Sequence, residues 1–495
     1  MSFRLFPPYR HFQLNWPDDW PEATPPRWGD KYYTGGDYHP RHLDRLTAAL
    51  PNMPSLTKFY VSCPFYPPSS LLNALIRCPS LRDLAINETP LYISMIPKVP
   101  TSFYLDRLTI VPIAEAVRVG EGPSDLRYTE VTYYVREYRR KYKNDILARF
   151  AAAALLFQVG KTAHLRHIQL SADLCALDNL VDHEWPNLDT LVLTGHTPRG
   201  MTQLIDVIAR MPKLRELRLL FAKTKNDPGF RLLRSHLPTA KNNYPRVLGQ
   251  LQWLALSNAC VLDDVFHYTV GLERLAVCAI IDQPRVPIAL SRTEVDKILA
   301  DIGVGNRMVE NRLARLRIMM EDKVNPDLCY TIALHCPYLE ALEIEVCGYH
   351  DGKSIHEWVS TTVVQVTLNI KLTGKSLAQN EYANAFSSLG RLRELRVCIQ
   401  FPEFDEMDKF EPWRVARQEC AIYLASRIPT LGRVGFEYRK RTGTHRFEDS
   451  WLEFDIERDE RTGAGIQLSE VGRTWYPFPE VWFPVPLPVT GQPSG

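Results

Sequence analysis

Residues 337–344 read Pro337-Tyr338-Leu339-Glu340-Ala341-Leu342-Glu343-Ile344, which is the pattern P-x-L-x-x-L-x-L. We term the six residues from its first leucine, L-x-x-L-x-L, the hexad. With other apolar residues allowed, hexads begin at Leu56, Leu81, Leu105, Leu165, Leu188, Leu214, Leu251, Leu272, Leu313, Leu339, Val363, Leu392 and Leu431, with Tyr9 as an additional copy. One hexad can come from any buried strand, but many copies at intervals of about 25 residues indicate a repeat protein.

Each hexad predicts a short β-strand with one buried face. Its fourth and sixth positions are apolar while the third, fifth and seventh vary, which is the period-two alternation of such a strand. Apolar residues three and four apart predict helices between hexads, as over residues 69–77, 202–210 and 291–302. Ser291 and Glu294 open the last of these with the spacing of a capping box. A proline two residues before the hexad ends the helix, because it cannot continue the backbone hydrogen-bond ladder.

Each repeat is therefore a helix, a stop and a strand, and the chain predicts an α/β leucine-rich-repeat solenoid. Successive strands must be parallel and joined by right-handed crossovers, with strands on the concave face and helices on the convex face. We expect an N-terminal cap with an irregular first repeat over residues 1–55 and the solenoid over residues 56–437. A long helix is inserted near residues 129–159, and residues 438–495 form a C-terminal hairpin and a Pro/aromatic-rich capping tail.

Composition and missing motifs exclude several classes of function. The 495 residues carry a formal net charge of +2, so the chain lacks the basic excess typical of nucleic-acid binding. No P-loop, G-x-S-x-G or H-E-x-x-H motif is present, so we expect no catalytic residue, no cofactor and no metal. No apolar run could span a bilayer, and the start has no secretory pattern. The 10 scattered cysteines indicate reduced thiols, and hence a cytoplasmic or nuclear protein.

The candidate partner-binding site lies on the concave face, where the third, fifth and seventh hexad positions are expected to point. Its residues are Arg218, Leu220, Trp253, Arg274, Cys278, Arg315, Arg317 and Met319. Exposed tryptophan and arginine are typical of interface centres. Leu220, Cys278 and Met319 are expected to form an apolar row open to water. In the alternative, insertions or the Pro-rich tail cover this row and bury it within the chain.

Two groups of charged residues are interpreted as solvent-exposed charges and not as binding sites. Arg315 and Arg317 are expected to face Glu343 and Glu345 on the next strand, in exposed pairs each contributing ~0–1 kcal/mol. Residues 136–143 are basic and contain interleaved tyrosines. We interpret them as a solvated helix face, with a contact surface for an acidic partner or nucleic acid as the alternative.

The units C-P-x-L-x-x-L-x-L at Cys78 and Cys336 and M-P-x-L at Met53 and Met211 resemble fungal F-box and leucine-rich-repeat (RNI-like) proteins. The resemblance covers about residues 42–437 and implies a horseshoe-shaped solenoid. In that family an N-terminal F-box docks on an Skp1-type adaptor, while the repeats hold a substrate for ubiquitin transfer. Residues 1–55 do not show the F-box pattern, so such an adaptor is expected only if an F-box exists elsewhere.

The sequence thus predicts a non-enzymatic protein-protein interaction scaffold that binds a protein partner, of unspecified identity, on its concave face. One alternative is the substrate-recognition subunit of an SCF-type ubiquitin ligase whose F-box was lost or lies outside this chain. The other is nucleic-acid binding through the basic insertion at residues 136–143, which the balanced charge disfavours. No membrane partner is expected.

Overall fold

The computed structural model describes residues 2–5, 11–15, 45–62, 69–87, 91, 96–100, 103–111, 146–160, 164–198, 202–222, 231–233, 244–258, 263–279, 289–308, 313–322, 324–346, 377–398, 410–443, 446–458 and 465–475. These residues belong to two compact units, unit 1 as far as Arg215 and unit 2 from Glu216 to Trp475. The Val363 hexad, the basic stretch 136–143 and the Pro-rich tail lie outside the described residues.

The described strands of unit 1 pair in chain order. They are β1 (Ser2–Leu5), β2 (His11–Asn15), β3 (Lys58–Ser62), β4 (Asp83–Asn87), β5 (Arg107–Val111), β6 (His167–Ser171) and β7 (Thr190–His196). β1 and β2 form an antiparallel pair, and from β2 to β7 each strand is parallel to the next. The helices are α1 (Ser69–Leu75), α2 (Ile146–Gly160), α3 (Asp178–Val181) and α4 (Leu204–Ile208). β2 confirms the strand of the Tyr9 copy, whereas β1 was not predicted.

Unit 2 follows the same plan and ends in antiparallel strands. Its strands are β8 (Glu216–Ala222), β9 (Trp253–Ser257), β10 (Arg274–Cys278), β11 (Arg315–Met320), β12 (Ala341–Val346), β13 (Glu394–Val397), β14 (Arg433–Gly443), β15 (Arg446–Arg458) and β16 (Ile466–Trp475). Pairing is parallel from β8 to β14 and antiparallel from β14 to β16. The helices are α5 (Tyr244–Leu248), α6 (Val265–Tyr268), α7 (Arg292–Met308), α8 (Pro326–His335), α9 (Leu377–Ser387) and α10 (Phe410–Arg427).

A tight turn leads into the strand in many of the described repeats. The Leu81 N–H donates to the carbonyl of Cys78 at 3.3 Å, and Pro79 occupies the second position of this turn. Proline suits that position because its ring fixes φ near the value that the turn requires. The proline of the repeat therefore both ends the helix and shapes the turn. At the start of α7, the Glu294 carboxylate accepts the Ser291 N–H at 2.8 Å, as the capping-box spacing predicted.

Neighbouring repeats are joined at the start of their strands by a shared backbone acceptor. The Gln252 carbonyl accepts the N–H groups of Glu273 at 2.8 Å and Arg274 at 3.0 Å. The Glu273 carbonyl accepts those of Ala314 and Arg315 at the same two distances, and the arrangement recurs in unit 1. This joint fixes the register, so that equal positions of successive hexads lie beside each other.

The core lies where the first, fourth and sixth hexad positions point. In both units these residues are at most 3 % exposed in every described hexad from Leu56 to Leu431. In unit 2, α7 packs beside α8, α8 beside α9 and α9 beside α10, and α7 also contacts β11. The α/β repeat architecture with mostly parallel strands is thus confirmed. Its curvature into a horseshoe stays a prediction.

Candidate functional site

The register of unit 2 arranges the side chains opposite the core leucines in three rows, and we call this side of the sheet the front face. Row 1, the third hexad position, contains Glu216, Trp253, Arg274, Arg315, Ala341, Glu394 and Arg433. Row 2, the fifth position, contains Arg218, Ala255, Ala276, Arg317, Glu343, Arg396 and Gly435. Row 3, the seventh position, contains Leu220, Ser257, Cys278, Met319, Glu345 and Cys398. All eight predicted partner-binding residues belong to these rows.

Row 3 is closed to solvent, so the expected open apolar row is wrong. Leu220, Cys278 and Met319 are 3, 4 and 3 % exposed. Chain outside the hexads lies against Met319: the Ala279 N–H contacts its Sδ at 3.4 Å, and the Leu290 N–H donates to its carbonyl at 3.4 Å. Ala279 directly follows β10, and Leu290 pairs with Met320 as a parallel bridge, so both lie beside β11 in the sheet. The burial of row 3 agrees with the alternative interpretation, but these contacts do not identify a segment that covers the row.

Row 2 is also buried apart from the partly exposed Arg396, although its arginines were expected to face solvent. Arg218 and Arg317 are 3 and 0 % exposed. Arg218 forms an ion pair with Glu216 and lies beside Trp253. Burial of these arginines is possible because carboxylates on the same face neutralise their charge.

Row 1 is the accessible part of the predicted site. Trp253, Arg274 and Arg315 are each partly exposed. The Arg274 guanidinium carbon lies 3.7 Å from the centroid of the Trp253 ring, and that of Arg218 lies 5.9 Å from it. Stacking of a guanidinium on an indole is attractive and limits the freedom of both side chains. This row therefore presents an ordered aromatic and cationic surface.

Arg274 and Arg315 lie directly opposite each other on β10 and β11. Partial burial, followed by the nearby charge of Arg315, lowers the pKa of Arg274 below its ordinary value, although Glu273 and Glu216 oppose the shift. Within the part of the chain that the structure describes, no carboxylate oxygen lies within 4.0 Å of either guanidinium. The two adjacent cations thus lack the close counter-charge that row 2 provides.

The buried centre of the front face is an ion-pair network on β11 and β12. Arg317 Nη2 donates to both carboxylate oxygens of Glu345 at 2.8 and 2.9 Å, and Arg317 Nε lies 3.0 Å from Glu343 Oε1. All three side chains are at most 1 % exposed. These pairs are therefore buried, not exposed as expected, and Arg315 takes no part because its neighbour on β12 is Ala341.

Arg396 extends the network to the antiparallel strands. Its Nη1 donates to Glu343 Oε2 at 3.0 Å, and its Nε donates to Glu453 Oε1 at 2.5 Å. Gly435 occupies the position between Arg396 and Glu453. A Cβ there would lie 3.2 Å from Arg396 Cγ and 3.3 Å from Glu453 Cγ. The missing side chain of Gly435 thus allows Arg396 to reach across one strand.

The network holds both arginines in their charged form. Burial opposes the charge of Arg317, but Glu343 and Glu345 outweigh burial, so its pKa is raised above the ordinary value. Burial likewise opposes the charge of Arg396, and Glu343 and Glu453 raise its pKa in the same way. Each buried guanidinium therefore contacts two carboxylates.

Sequence analysis placed Arg317 opposite Glu343 and Glu345, but it missed the burial of these pairs and the part of the network formed by Arg396 and Glu453. One signal is the charge at the fifth hexad position, where Arg317, Glu343 and Arg396 alternate in sign, although Thr367 of the Val363 hexad comes between the last two in sequence. Glu453 gave no such signal, because it lies in the hairpin after the last hexad. The sign alternation becomes informative only once the register places these positions side by side.

Metal-binding groups and membrane-spanning helices were both sought among the described residues. Among them, no group of three or more histidine, cysteine or acidic side chains could hold a metal ion. No helix within the described ranges is long and apolar enough to cross a bilayer. The seven described cysteines are buried thiols outside any disulfide, and burial raises the pKa of Cys336 and Cys420 to about 12.

Comparison with known proteins gives no family assignment. No family model and no curated protein matches this chain. Among solved structures, the crystal structure of the Rad7 and Elc1 complex in yeast contains a similar chain, with 12% sequence identity and a TM-score of 0.32. The match covers 63% of this chain and 76% of that chain. Similarity at this level transfers neither a site nor a partner to this chain.

Proposed function

We propose that this chain is a non-enzymatic protein-interaction scaffold that binds a protein partner through the front face of unit 2. The observation that carries the proposal is row 1, where Trp253 and the stacked guanidinium of Arg274 remain partly exposed beside the buried residues of row 3. Tryptophan and arginine are the residues most enriched among binding hot spots. Side chains already ordered by stacking lose little freedom when a partner binds.

The dimensions of the front face suit a protein partner. Seven parallel strands, β8 to β14, at ~4.8 Å spacing give a surface about 30 Å wide. An interface of standard size buries about 800 Å² on each partner, which a surface of this width can supply. Row 1 lies along one edge of this surface, and the ion-pair network beside it connects β11, β12, β13 and β15.

A scaffold role also agrees with how the acidic side chains are used. In the described part of the front face, Glu343, Glu345 and Glu453 all bind guanidinium groups and are at most 2 % exposed. A general acid or base must reach a substrate proton, which a carboxylate enclosed in this way does not do. We therefore propose no catalytic role for these three carboxylates.

The test is recovery of the partner by the tagged full-length chain, followed by measurement of its affinity for variants. Trp253→Ala is expected to weaken binding by more than ~1 kcal/mol, while the melting temperature stays nearly unchanged. Tyr330→Ala, which removes an aromatic side chain that is 46% exposed on α8, is the matched control and is expected to bind normally. Equal binding by all three proteins would overturn the proposal.

The same purification distinguishes two kinds of scaffold. Recovery of an Skp1-type adaptor together with a cullin would identify a substrate-recognition subunit of a ubiquitin ligase. Recovery of another partner without them would identify a scaffold outside that system. The cysteines outside any disulfide support a reducing compartment, the cytoplasm or the nucleus, as the place where this partner is met.

A further inference from the structure

The arginines of the front face differ in one respect, which is whether a carboxylate of the same protein binds them. Arg317 and Arg396 contact glutamates of rows 2 and 3 and of β15, and Arg433 Nε donates to Asp455 at 2.6 Å. Arg218 is paired with Glu216. Among the described residues of this face, only Arg274 and Arg315 have no carboxylate within 4.0 Å.

We propose that Arg274 and Arg315, beside Trp253, bind a carboxylate in an acidic segment of the protein partner. This inference rests on the function proposed above and adds the chemistry of the partner. The two guanidinium groups occupy equivalent positions on adjacent parallel strands, so one carboxylate between them can accept hydrogen bonds from both. Its charge also relieves the repulsion between two neighbouring cations.

The position of Trp253 supports a segment of polypeptide as the occupant. Its ring orders Arg274 from one side, while Arg315 lies on the other side of Arg274 along row 1. The next side chain in the row is Ala341, which is 3% exposed and contributes no charge. Along row 1 the two arginines thus lie between the apolar side chains of Trp253 and Ala341. This order matches an acidic residue flanked by apolar residues in the partner.

Charges farther along row 1 disfavour a long polyanion. Glu216 lies beside Trp253 at one end, and Glu394 lies on the third strand beyond β10 at the other, roughly 14 Å from Arg274 at ~4.8 Å per strand. A nucleic-acid backbone needs a continuous basic strip, which these carboxylates interrupt. A single acidic residue or a short acidic cluster satisfies the two arginines without reaching either glutamate.

The experiment selects peptides from a displayed random library on the immobilised full-length chain. Labelled copies of the selected peptides are then measured by fluorescence anisotropy. The proteins compared are the wild type, Arg274→Ala with Arg315→Ala, Trp253→Ala, and Arg433→Ala as the matched control. Arg433 lies in the same row, but Asp455 already binds it. Thermal unfolding of each variant establishes that it is folded.

We expect the selected peptides to be enriched in Asp and Glu. The double arginine variant should bind them at least about tenfold more weakly, since two charge-assisted hydrogen-bonding groups are lost, whereas Arg433→Ala should bind within about twofold. Binding should also weaken as salt concentration rises.

The outcomes that overturn the inference differ from those that overturn the proposed function. Peptides that depend on Trp253 but show no acidic enrichment would refute the acidic partner and leave the binding face intact. Phosphopeptides or single-stranded nucleic acid binding the same arginines more tightly than the acidic peptides would also refute it. Peptides that bind equally to all four proteins would refute both proposals.

Discussion

Arg315 and Arg317 lie two residues apart on β11 and point to the same face, yet their surroundings differ completely. Arg317 is 0 % exposed and contacts two glutamates, whereas Arg315 is partly exposed and lies beside Arg274 and Ala341. The difference comes from the neighbouring strands, since β12 offers Ala341 to one and Glu343 to the other. Within one strand, a residue of row 2 can therefore stabilise the fold while a residue of row 1 remains available for binding.

The comparison extends to the whole front face of unit 2. The described residues of rows 2 and 3 are buried, apart from the partly exposed Arg396, so substitutions there should act on folding. Row 1 is open and lacks an internal counter-charge at Arg274 and Arg315, so substitutions there should act on binding. Experiments can contradict this division in two ways: a substitution in row 2 or 3 could leave stability unchanged, or a substitution in row 1 could lower it.

The largest effect is expected from Arg317→Ala. We expect the free energy of unfolding to fall by about 3–5 kcal/mol, because the variant removes the guanidinium that two buried carboxylates contact. Urea unfolding measures the loss, and hydrogen exchange should locate it in β11 to β13. Replacing Glu345 by Leu together with Arg317→Met should recover much of it, since losing both partners of a buried pair costs less than losing one. A loss below ~1 kcal/mol for Arg317→Ala would show that row 2 does not stabilise the fold.

A smaller effect is expected from Gly435→Ala. The added methyl group would meet Arg396 Cγ at 3.2 Å and Glu453 Cγ at 3.3 Å, so it should separate this ion pair and cost about 1–3 kcal/mol of unfolding free energy. Gly432→Ala is the control, because its Cβ would meet only a backbone oxygen at the ordinary distance of 3.7 Å. Equal stability of the two variants, measured by urea unfolding, would mean that Arg396 does not need the space above Gly435.

Arg315→Ala is expected to change the unfolding free energy by no more than about 0.5 kcal/mol. The side chain contacts no carboxylate of the described residues, and its removal takes away a like charge beside Arg274. The same urea titration provides the measurement. A loss comparable to that of Arg317→Ala would remove the distinction between the two rows.

The smallest perturbation is chemical labelling, which tests access without altering stability. Cys278 in row 3 is 4% exposed, so iodoacetamide should modify it only after unfolding. A cysteine introduced by Arg315→Cys in row 1 should react in the folded protein, because thiolate access controls the rate. Peptide mass spectrometry distinguishes the two sites. Rapid labelling of Cys278 in the native chain would show that row 3 opens to solvent.

The residues that could be predicted are those that the repeat itself determines. Leu251, Leu254 and Leu256 are buried as their positions in the hexad required, because alternation along a strand decides which face meets the core. The shared turn and carbonyl then align one hexad with the next. Trp253 was placed correctly on the opposite face for the same reason.

The closure of the front face could not be predicted, because it depends on groups that the repeat does not place. Ala279 and Leu290, which contact Met319, belong to connecting chain without periodicity. Glu453 reaches Arg396 only because Gly435 lies between them, and no pattern in the hexads specifies that combination. The hexad gives the direction in which a side chain points, and its exposure was inferred from that direction alone. This inference fails where residues outside the hexad pack against the side chain.

The backbone joint between repeats has a consequence for how such a chain can change over evolution. Gln252 and Glu273 connect their repeats through main-chain carbonyls, which every amino acid possesses. Recombination between two hexads can therefore duplicate or delete a repeat and still align the leucines of the core. Deleting the repeat of β10 would bring Trp253 beside Arg315 and create a new surface motif without a single point mutation.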